Sequence, residues 1–144
     1  MPATLYILLP VLCAASLSDW KHRKISNSLL LPSFMIALLV NFFTFGINGL
    51  LSSLLGASVG FALLIVPYLF GGIGAGDVKY LMVIGSFGGL QLVIYSFLLG
   101  AITGGIISTG ILIYNLKSKN KIHALPYGIP LSLGTVIYLV LQYL

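Results

Sequence analysis

Two aspartates, Asp19 and Asp77, are the only acidic side chains in this chain of 144 residues. Each is followed by an apolar residue and then by a lysine, as DWK and as DVK. Two carboxylates held close together cannot both ionise cheaply, so such a pair shares one proton. The ionised member can take a proton from water while the protonated member polarises a carbonyl group. Because a coupled pair titrates as a unit, the sequence assigns neither role to one residue.

The composition defines the environment of this pair. Hydrophobic residues make up 59% of the chain and charged residues 6%, and the mean hydropathy is +1.13. A soluble domain carries many more charges, so these values indicate an integral membrane protein. Apolar stretches long enough to cross a hydrocarbon core of about 30 Å favour helices over a barrel. The predicted fold is an all-α, polytopic bundle of six transmembrane helices, with residues 1–144 forming one membrane-embedded domain.

The net charge of +5 comes from basic residues that lie in short clusters between the apolar stretches. The clusters are at residues 21–24 and 117–121, with Lys79 between them in sequence. This pattern is typical of cytoplasmic loops under the positive-inside rule, so we prefer topology to nucleic-acid binding as its explanation. No basic region precedes the first apolar run, which favours a retained first helix with its amino end outside.

Neither a disulfide nor a metal site is expected. The single cysteine, Cys13, cannot form an internal disulfide or a cysteine-built zinc site. The two histidines, His22 and His123, have no carboxylate partner in a common motif and would make a poor metal site. The sequence therefore predicts no metal and no other cofactor.

Six apolar segments, separated by turn-forming or basic residues, are the predicted helices. They cover roughly residues 3–18, 28–45, 50–70, 72–88, 92–116 and 129–143. The second and third helices form a hairpin that returns the chain to the side it left. Asp19, at the inner end of the first helix, and Asp77, near the inner start of the fourth, are therefore expected on the cytoplasmic side at similar depth. Both termini are then expected outside.

Small residues recur at four-residue spacing in two of these helices. Gly56 and Gly60 lie in the third helix, and Gly100, Gly104 and Ser108 lie in the fifth. This spacing permits close approach of a neighbouring helix in a membrane, so packing is the preferred interpretation.

Glycines crowd the segment before the second aspartate. Gly74 and Gly76 flank the site, and we expect them to let the backbone approach a substrate or the first helix and to expose peptide groups for an extended peptide. Gly71 and Gly72 are better explained as a flexible turn between two helices.

Three other polar residues have open interpretations. Lys79 could meet a substrate carboxylate or anchor the helix at the inner interface. Asn27 could cap the second helix or contribute to the site, and Ser26 is an alternative cap. Tyr127 could line the site or be an ordinary interfacial tyrosine.

Two motifs and their order resemble the prepilin peptidases, which are membrane aspartyl proteases of the GxGD class and are related to the archaeal preflagellin peptidases. Residues 74–77 read Gly-Ala-Gly-Asp, similar to the GxGD signature. Asp19 followed by Ile-Ser-Asn at 25–27 resembles the first aspartate motif, which usually reads Ile-Pro-Asn. Residues 126–128, Pro-Tyr-Gly, resemble the segment before the family's last helix.

This resemblance implies an aspartic endopeptidase in the cell membrane with Asp19 and Asp77 as its catalytic residues. It would remove the basic leader of type IV pilin-like precursors at the cytoplasmic face, just before their apolar helix. Larger members carry an amino-terminal domain with four cysteines that is associated with N-methylation. The chain looks like the short form that serves Flp/Tad-type pili, for which no methyltransferase activity is expected. Its partners would be a prepilin-like substrate and the bilayer, with no nucleic acid.

Other classes of membrane protein could also keep these two aspartates. A small ion- or proton-coupled carrier should show two related halves and a site near the midplane of the membrane. The only internal repeat is the short Asp-x-Lys pattern, and both aspartates are predicted near one face of the membrane. A structural subunit of a membrane assembly would leave the acids unexplained.

Overall fold

The computed structural model describes residues 3–22, 25–117 and 127–143, and all the regular secondary structure in that part of the chain is helical. Its four helices are α1 (Ala3–His22), α2 (Asn27–Leu69), α3 (Ala75–Lys117) and α4 (Gly128–Tyr143). The all-α prediction is therefore confirmed. Part of each predicted basic cluster, together with His123 and Pro126, lies outside the described residues.

Both long helices are interrupted at a glycine. Gly46 in α2 has φ 63° and ψ −146°, and Gly89 in α3 has φ 69° and ψ −158°. A positive φ of this kind is readily adopted only by a residue without a Cβ. The interruptions divide the helices into segments that we name α2a (27–45), α2b (47–69), α3a (75–88) and α3b (90–117).

The chain reverses direction at each interruption. The side-chain amide of Asn41 in α2a donates a hydrogen bond to Ser53 Oγ in α2b at 2.8 Å. Twelve residues of continuous helix would separate these two positions by about 18 Å. In α3, Tyr80 bonds to Ser132 of α4 while Gly100 lies against the neighbouring Leu131. Twenty residues of continuous helix would separate Tyr80 from Gly100 by about 30 Å, so α2 and α3 are both helical hairpins.

One buried amide secures the hairpin in α3. Asn41, which is 7% exposed, also donates to the carbonyl oxygens of Ser86 at 3.0 Å and Phe87 at 3.3 Å. In an uninterrupted helix these carbonyls would accept from N–H groups four residues later, beyond Gly89. The amide's two N–H protons, shared among three acceptors, therefore supply hydrogen bonds to carbonyls next to the break, where the helical pattern is interrupted.

Glycines let the helical segments meet backbone to backbone. A Cβ on Gly56 of α2b would overlap the carbonyl oxygen of Gly85 in α3a, and a Cβ on Gly60 would lie 2.7 Å from the carbonyl oxygen of Leu81. Gly134 of α4 similarly meets the backbone of Gly100 in α3b. The packing role predicted for Gly56, Gly60 and Gly100 is confirmed.

The fifth predicted helix keeps only part of its predicted small-residue contact. Gly104 faces the ring of Pro130, where a Cβ would find ordinary contact at 3.4 Å. Ser108 is exposed, so the packing predicted for it is wrong. The first half of α3b therefore packs against α4, which is too short to cover the second half.

The turn between α2 and α3 is an ordered helix terminus. Gly71, with φ 74°, donates its N–H to the carbonyl of Tyr68 at 2.9 Å, and Gly72 donates to the carbonyl of Pro67 at 3.0 Å. These two bonds form the Schellman pattern that ends many helices, with the left-handed residue at the first position beyond the helix. The flexible turn predicted for Gly71 and Gly72 is therefore a fixed cap.

Two predicted boundaries are wrong in ways that affect the site. α1 continues to His22, so Asp19 lies in its last turn rather than just beyond its end. α3a begins at Ala75, almost a turn later than the predicted start near Gly72, because the cap of α2 occupies the first two glycines. Asp77 consequently lies in the first turn of its helix.

Length and composition allow some of these helices to cross a membrane. Among the described residues, Asn27–Leu69 and Ala75–Leu116 are long and apolar enough to do so, and Gly128–Gln142 is a shorter apolar helix. Each of the two long stretches is one of the hairpins described above, so it consists of two shorter segments rather than one continuous span.

The contact between α2b and α3a can be tested with a matched pair of glycine variants. We expect Gly56→Ala to destabilise the protein by about 1–3 kcal/mol, because the new methyl group must displace the backbone at Gly85. The control is Gly105→Ala, since a Cβ there meets nothing within 4 Å. Thermal unfolding in detergent measures both variants. Equal melting temperatures would contradict the backbone contact.

Candidate functional site

Both aspartates line one cavity of about 390 Å³. It lies where the end of α1 meets the beginnings of α2 and α3. The residues that line it are Asp19, Ile25, Asn27, Gly74, Ala75, Gly76, Asp77 and Lys79. Water occupies about 30 Å³ per molecule in the liquid, so the cavity has room for several water molecules beside the carboxylates. The fold thus brings together six of the seven residues that the sequence analysis selected.

Asp19 is held by a helix other than its own. Its side chain is 4% exposed, and Oδ2 accepts a hydrogen bond from the backbone N–H of Gly128 at 2.7 Å. Gly128 is the first residue of α4, where backbone N–H groups have no partner within the helix. The partial positive charge at a helix amino terminus stabilises a negative group there. Asp19 of α1 is therefore the cap of α4.

This contact requires a glycine at position 128. A Cβ there would lie 2.6 Å from Asp19 Oδ2 and 3.1 Å from Ile25 Cδ1. Any other residue would push the carboxylate away from the amide that holds it. Gly128 was not among the site residues predicted from the sequence. The available signal was a glycine next to Tyr127, just before the predicted start of the last helix.

Asp77 is held by the start of its own helix. Its Oδ2 accepts from the N–H of Gly74 at 3.2 Å, and its own N–H donates to the carbonyl of Gly74 at 3.1 Å. Gly74 precedes the first residue of α3, and Asp77 is the third residue of that helix. An acidic side chain at this third position returning to the N-cap amide is half of a capping box. Asp19, although it belongs to α1, therefore lies at the amino terminus of α4, and Asp77 lies at the amino terminus of its own helix, α3.

Gly74 and Gly76 lie beside Asp77, but the space around them is larger than expected. A Cβ on Gly74 would lie 3.4 Å from Asp77 Oδ2, and a Cβ on Gly76 would lie 3.5 Å from the backbone of Ile25. Both distances are ordinary van der Waals contacts. The close approach to the first helix that was predicted for these glycines is therefore not seen: Gly76 faces Ile25, which follows α1, and a methyl group would fit there.

Lys79 and Asn27 join α3 to the start of α2. The ammonium group of Lys79 donates to Asn27 Oδ1 at 3.1 Å at the exposed edge of the cavity. The N-cap of α2 is Ser26, whose side chain accepts from the N–H of Ser28 at 3.2 Å. The interpretation of Asn27 as the cap is therefore wrong, because Ser26 takes that position and leaves the Asn27 amide free to meet Lys79.

Tyr127 does not line the cavity that the two aspartates share. It is 42% exposed and borders a second cavity of about 360 Å³, which Asp77 also lines. That cavity lies between the end of α2b, the middle of α3b and the start of α4. Asp77 thus separates two cavities, and Tyr127 belongs to the one without Asp19.

No metal cluster occurs in the part of the chain that the structure describes: no three His, Cys, Asp or Glu side chains are grouped there. His22 is exposed at the end of α1, and His123 falls outside the described residues. Cys13 is also exposed, on α1.

The unequal burial of the aspartates predicts unequal reactivity. A water-soluble carbodiimide with an amine nucleophile should label Asp77 before Asp19, because Asp19 is 4% exposed and covered by Gly128. Gly128→Ala should expose Asp19 to labelling by displacing its carboxylate, while Gly76→Ala should not. Peptide mass spectrometry reads both sites, and equal labelling of Asp19 in the two variants would contradict this geometry.

Comparisons with known proteins agree with the motifs. The model of the type IV leader peptidase family matches residues 6–109, a range that includes both aspartates. A prepilin leader peptidase/N-methyltransferase of Pseudomonas putida is 30% identical over 132 residues, covering 85% of this chain and 45% of that protein. Proteins of the same description from Stutzerimonas stutzeri and Pseudomonas aeruginosa are 33% and 32% identical, each over 81% of this chain and 42% of their own length.

The chain thus spans less than half the length of these curated relatives. No solved structure matches it. The resemblance to prepilin peptidases is confirmed by the family match, which covers most of the chain. This chain belongs to the type IV leader peptidase family.

Proposed function

We propose that the chain is an aspartic endopeptidase that removes the basic leader of type IV pilin-like precursors. The observation that carries the proposal is that the chain's only two acidic residues, 58 positions apart, line one cavity. Family membership supports the choice of reaction, and the relatives are described as prepilin leader peptidases.

In the proposed reaction the two carboxylates share one proton. The ionised carboxylate accepts a proton from water as the water oxygen attacks the carbonyl carbon of the scissile peptide bond. The protonated carboxylate donates its proton to the carbonyl oxygen, which gives a neutral tetrahedral intermediate. The C–N bond then breaks, the nitrogen takes a proton from one carboxyl group, and the intermediate hydroxyl returns a proton to the pair. A new carboxylic acid and a new amine leave, and the pair again holds one proton.

The hydrogen bonds to the backbone support an assignment of the reacting oxygen atoms. In each aspartate the observed bond engages Oδ2, from Gly128 for Asp19 and from Gly74 for Asp77. We therefore assign Oδ1 of each side chain to the catalytic water and the substrate. Fixed N–H donors at two helix termini also offset the cost of carrying negative charge in an apolar surrounding.

The other selected residues have supporting roles in this proposal. Gly74 and Gly76 supply the backbone beside Asp77, where an extended peptide can pair with main-chain groups. Lys79, bonded to Asn27 at the cavity edge, either meets the substrate or anchors α3 at the membrane surface. Tyr127 lines the neighbouring cavity on the far side of Asp77.

We further propose that the six helical segments cross the cell membrane as one domain, with the active site facing the cytoplasm and both termini outside. Lys21 near the end of α1, Lys79 near the start of α3 and Lys117 at the end of α3 support this orientation. α3a has 14 residues, a length of about 20 Å, against a hydrocarbon thickness of about 30 Å. With its other end at the outer surface, Asp77 would lie within the inner leaflet, where the two cavities that it lines could admit water. Lys79 would start about 3 Å deeper, and its long side chain would have to extend back toward the inner interface.

Replacing either aspartate should abolish cleavage. We expect Asp19→Asn and Asp77→Asn each to lower cleavage of a co-expressed precursor by at least about a hundredfold, since each removes one half of an acid–base unit. Asp→Glu variants should fail as well, because an added methylene moves the carboxyl group by about an ångström. A mobility shift of the precursor on gels measures cleavage, and extraction as a folded protein controls for misfolding. Full activity in either Asn variant would refute the mechanism.

Reagents against other protease classes should have no effect. Because the proposed nucleophile is a water activated by two carboxylates, cleavage by the purified protein should persist in chelators and in serine- or cysteine-directed reagents. Cys13→Ser should retain wild-type activity, since Cys13 is exposed on α1 and does not line the aspartate cavity. The assay uses purified precursor in detergent. Loss of activity in a chelator that is restored by zinc would favour a metalloprotease instead.

A further inference from the structure

A cluster of three hydroxyl groups, two of them buried, lies about one helical turn away from the two aspartates. Ser16 precedes Asp19 by three residues on α1, and Tyr80 follows Asp77 by three residues on α3. The third member is Ser132 on α4. Residues three or four apart share a helix face, so the cluster lies behind the site on the same faces of its helices.

Ser132 is the centre of this cluster. The Ser16 hydroxyl donates to Ser132 Oγ at 2.7 Å, and Ser132 Oγ donates to the carbonyl of Gly128 at 2.8 Å. Tyr80 Oη lies 2.6 Å from Ser132 Oγ. A hydroxyl group offers one proton and two acceptor positions. Because the proton of Ser132 goes to Gly128, Tyr80 must donate, and the bonding capacity of Ser132 is then fully used.

Ser132 connects α1, α3 and α4, the three helices that supply Asp19, Asp77 and Gly128. Tyr80 is fully buried and Ser132 is 6% exposed, so neither hydroxyl can readily exchange its partner for water. A serine bonded only to the carbonyl of its own helix is common. Here the same oxygen also accepts from α1 and α3, which fixes the first turn of α4 relative to both.

We propose that Ser132 is a positioning residue for the aspartate pair, an inference that rests on the proposed peptidase function. Both backbone polar groups of Gly128 are hydrogen-bonded to side chains: its carbonyl accepts from Ser132, and its N–H donates to Asp19. Tyr80 ties the same serine to the helix that carries Asp77. Ser132 thereby sets where the amide that holds Asp19 lies with respect to Asp77.

The first test separates the rate of the chemical step from substrate binding. Ser132→Ala should lower kcat by about tenfold or more and change KM by less than about twofold, because the substrate does not contact this buried residue. Tyr80→Phe, which keeps the ring and loses only the hydroxyl, should change kcat in the same direction. The matched control is Thr135→Val on the same helix: Thr135 is fully buried and its hydroxyl donates to the carbonyl of Leu131 in its own helix. That variant should keep wild-type kcat.

The second test observes the Gly128 amide without any substrate. Tyr127-Gly128 is the chain's single Tyr-Gly pair, so labelling tyrosine carbonyls with 13C and glycine amides with 15N isolates one NMR signal. Exchange of that amide proton with solvent should accelerate by about tenfold or more in Ser132→Ala and should be unchanged in Thr135→Val. The amide should also exchange faster in Asp19→Asn, because the neutral acceptor holds it less tightly.

The two tests distinguish this inference from the proposed function. If the wild-type protein cleaves precursor, and Ser132→Ala retains either wild-type kcat or wild-type exchange at Gly128, the positioning role is overturned while the peptidase assignment stands. If the wild-type protein cleaves no precursor, the proposed function fails. Unchanged Gly128 exchange in Ser132→Ala would in that case also remove the structural basis of the inference.

Discussion

The hydrogen bond from the first amide of α4 to the carboxylate of Asp19 is the interaction on which the arrangement of the site depends. A carboxylate among apolar helices needs polar partners, and a helix amino terminus provides unpaired N–H groups together with a favourable dipole. The cap is supplied from a different helix, so it also locks α1 to α4. Gly128 allows the contact because it has no side chain.

The two hairpins explain how this contact can form next to Asp77. The reversal at Gly89 sends α3b back along α3a, and α4 then packs on α3b through Gly134 and Gly100. This return places the first turn of α4 beside the first turn of α3. Asn41 stabilises the reversal at the opposite end of α3a by donating to the carbonyls of Ser86 and Phe87, next to the break. The geometry of the site therefore depends on a polar contact at the far end of the bundle.

The sequence predicted those features that follow from local composition. Asp19 and Asp77 could be selected because they are the only acidic residues. Turn-forming residues marked the ends of the helical segments, and the number of segments between the two aspartates predicted that both lie at the same end of the bundle. Contacts between distant residues could not be predicted in this way. Asn41 and Ser132 lie inside predicted helices and Gly128 just before one, and only the fold shows which carbonyl or carboxylate each one meets. The late start of α3a depended similarly on the cap of α2 at Gly71, since glycines alone do not reveal which of them ends a helix.

The spacing of Gly74 and Asp77 satisfies a structural and a chemical requirement together. A carboxylate three residues after the N-cap can return to the cap's N–H, so this spacing starts a helix whatever reaction follows. That bond uses one oxygen and leaves the other available for water. An amide side chain keeps an acceptor oxygen for the Gly74 N–H but can neither take nor release a proton at neutral pH. Replacement of Asp77 by Asn therefore separates the two requirements, since Asn can still accept from the Gly74 N–H but cannot make the proton transfers that we propose for the pair.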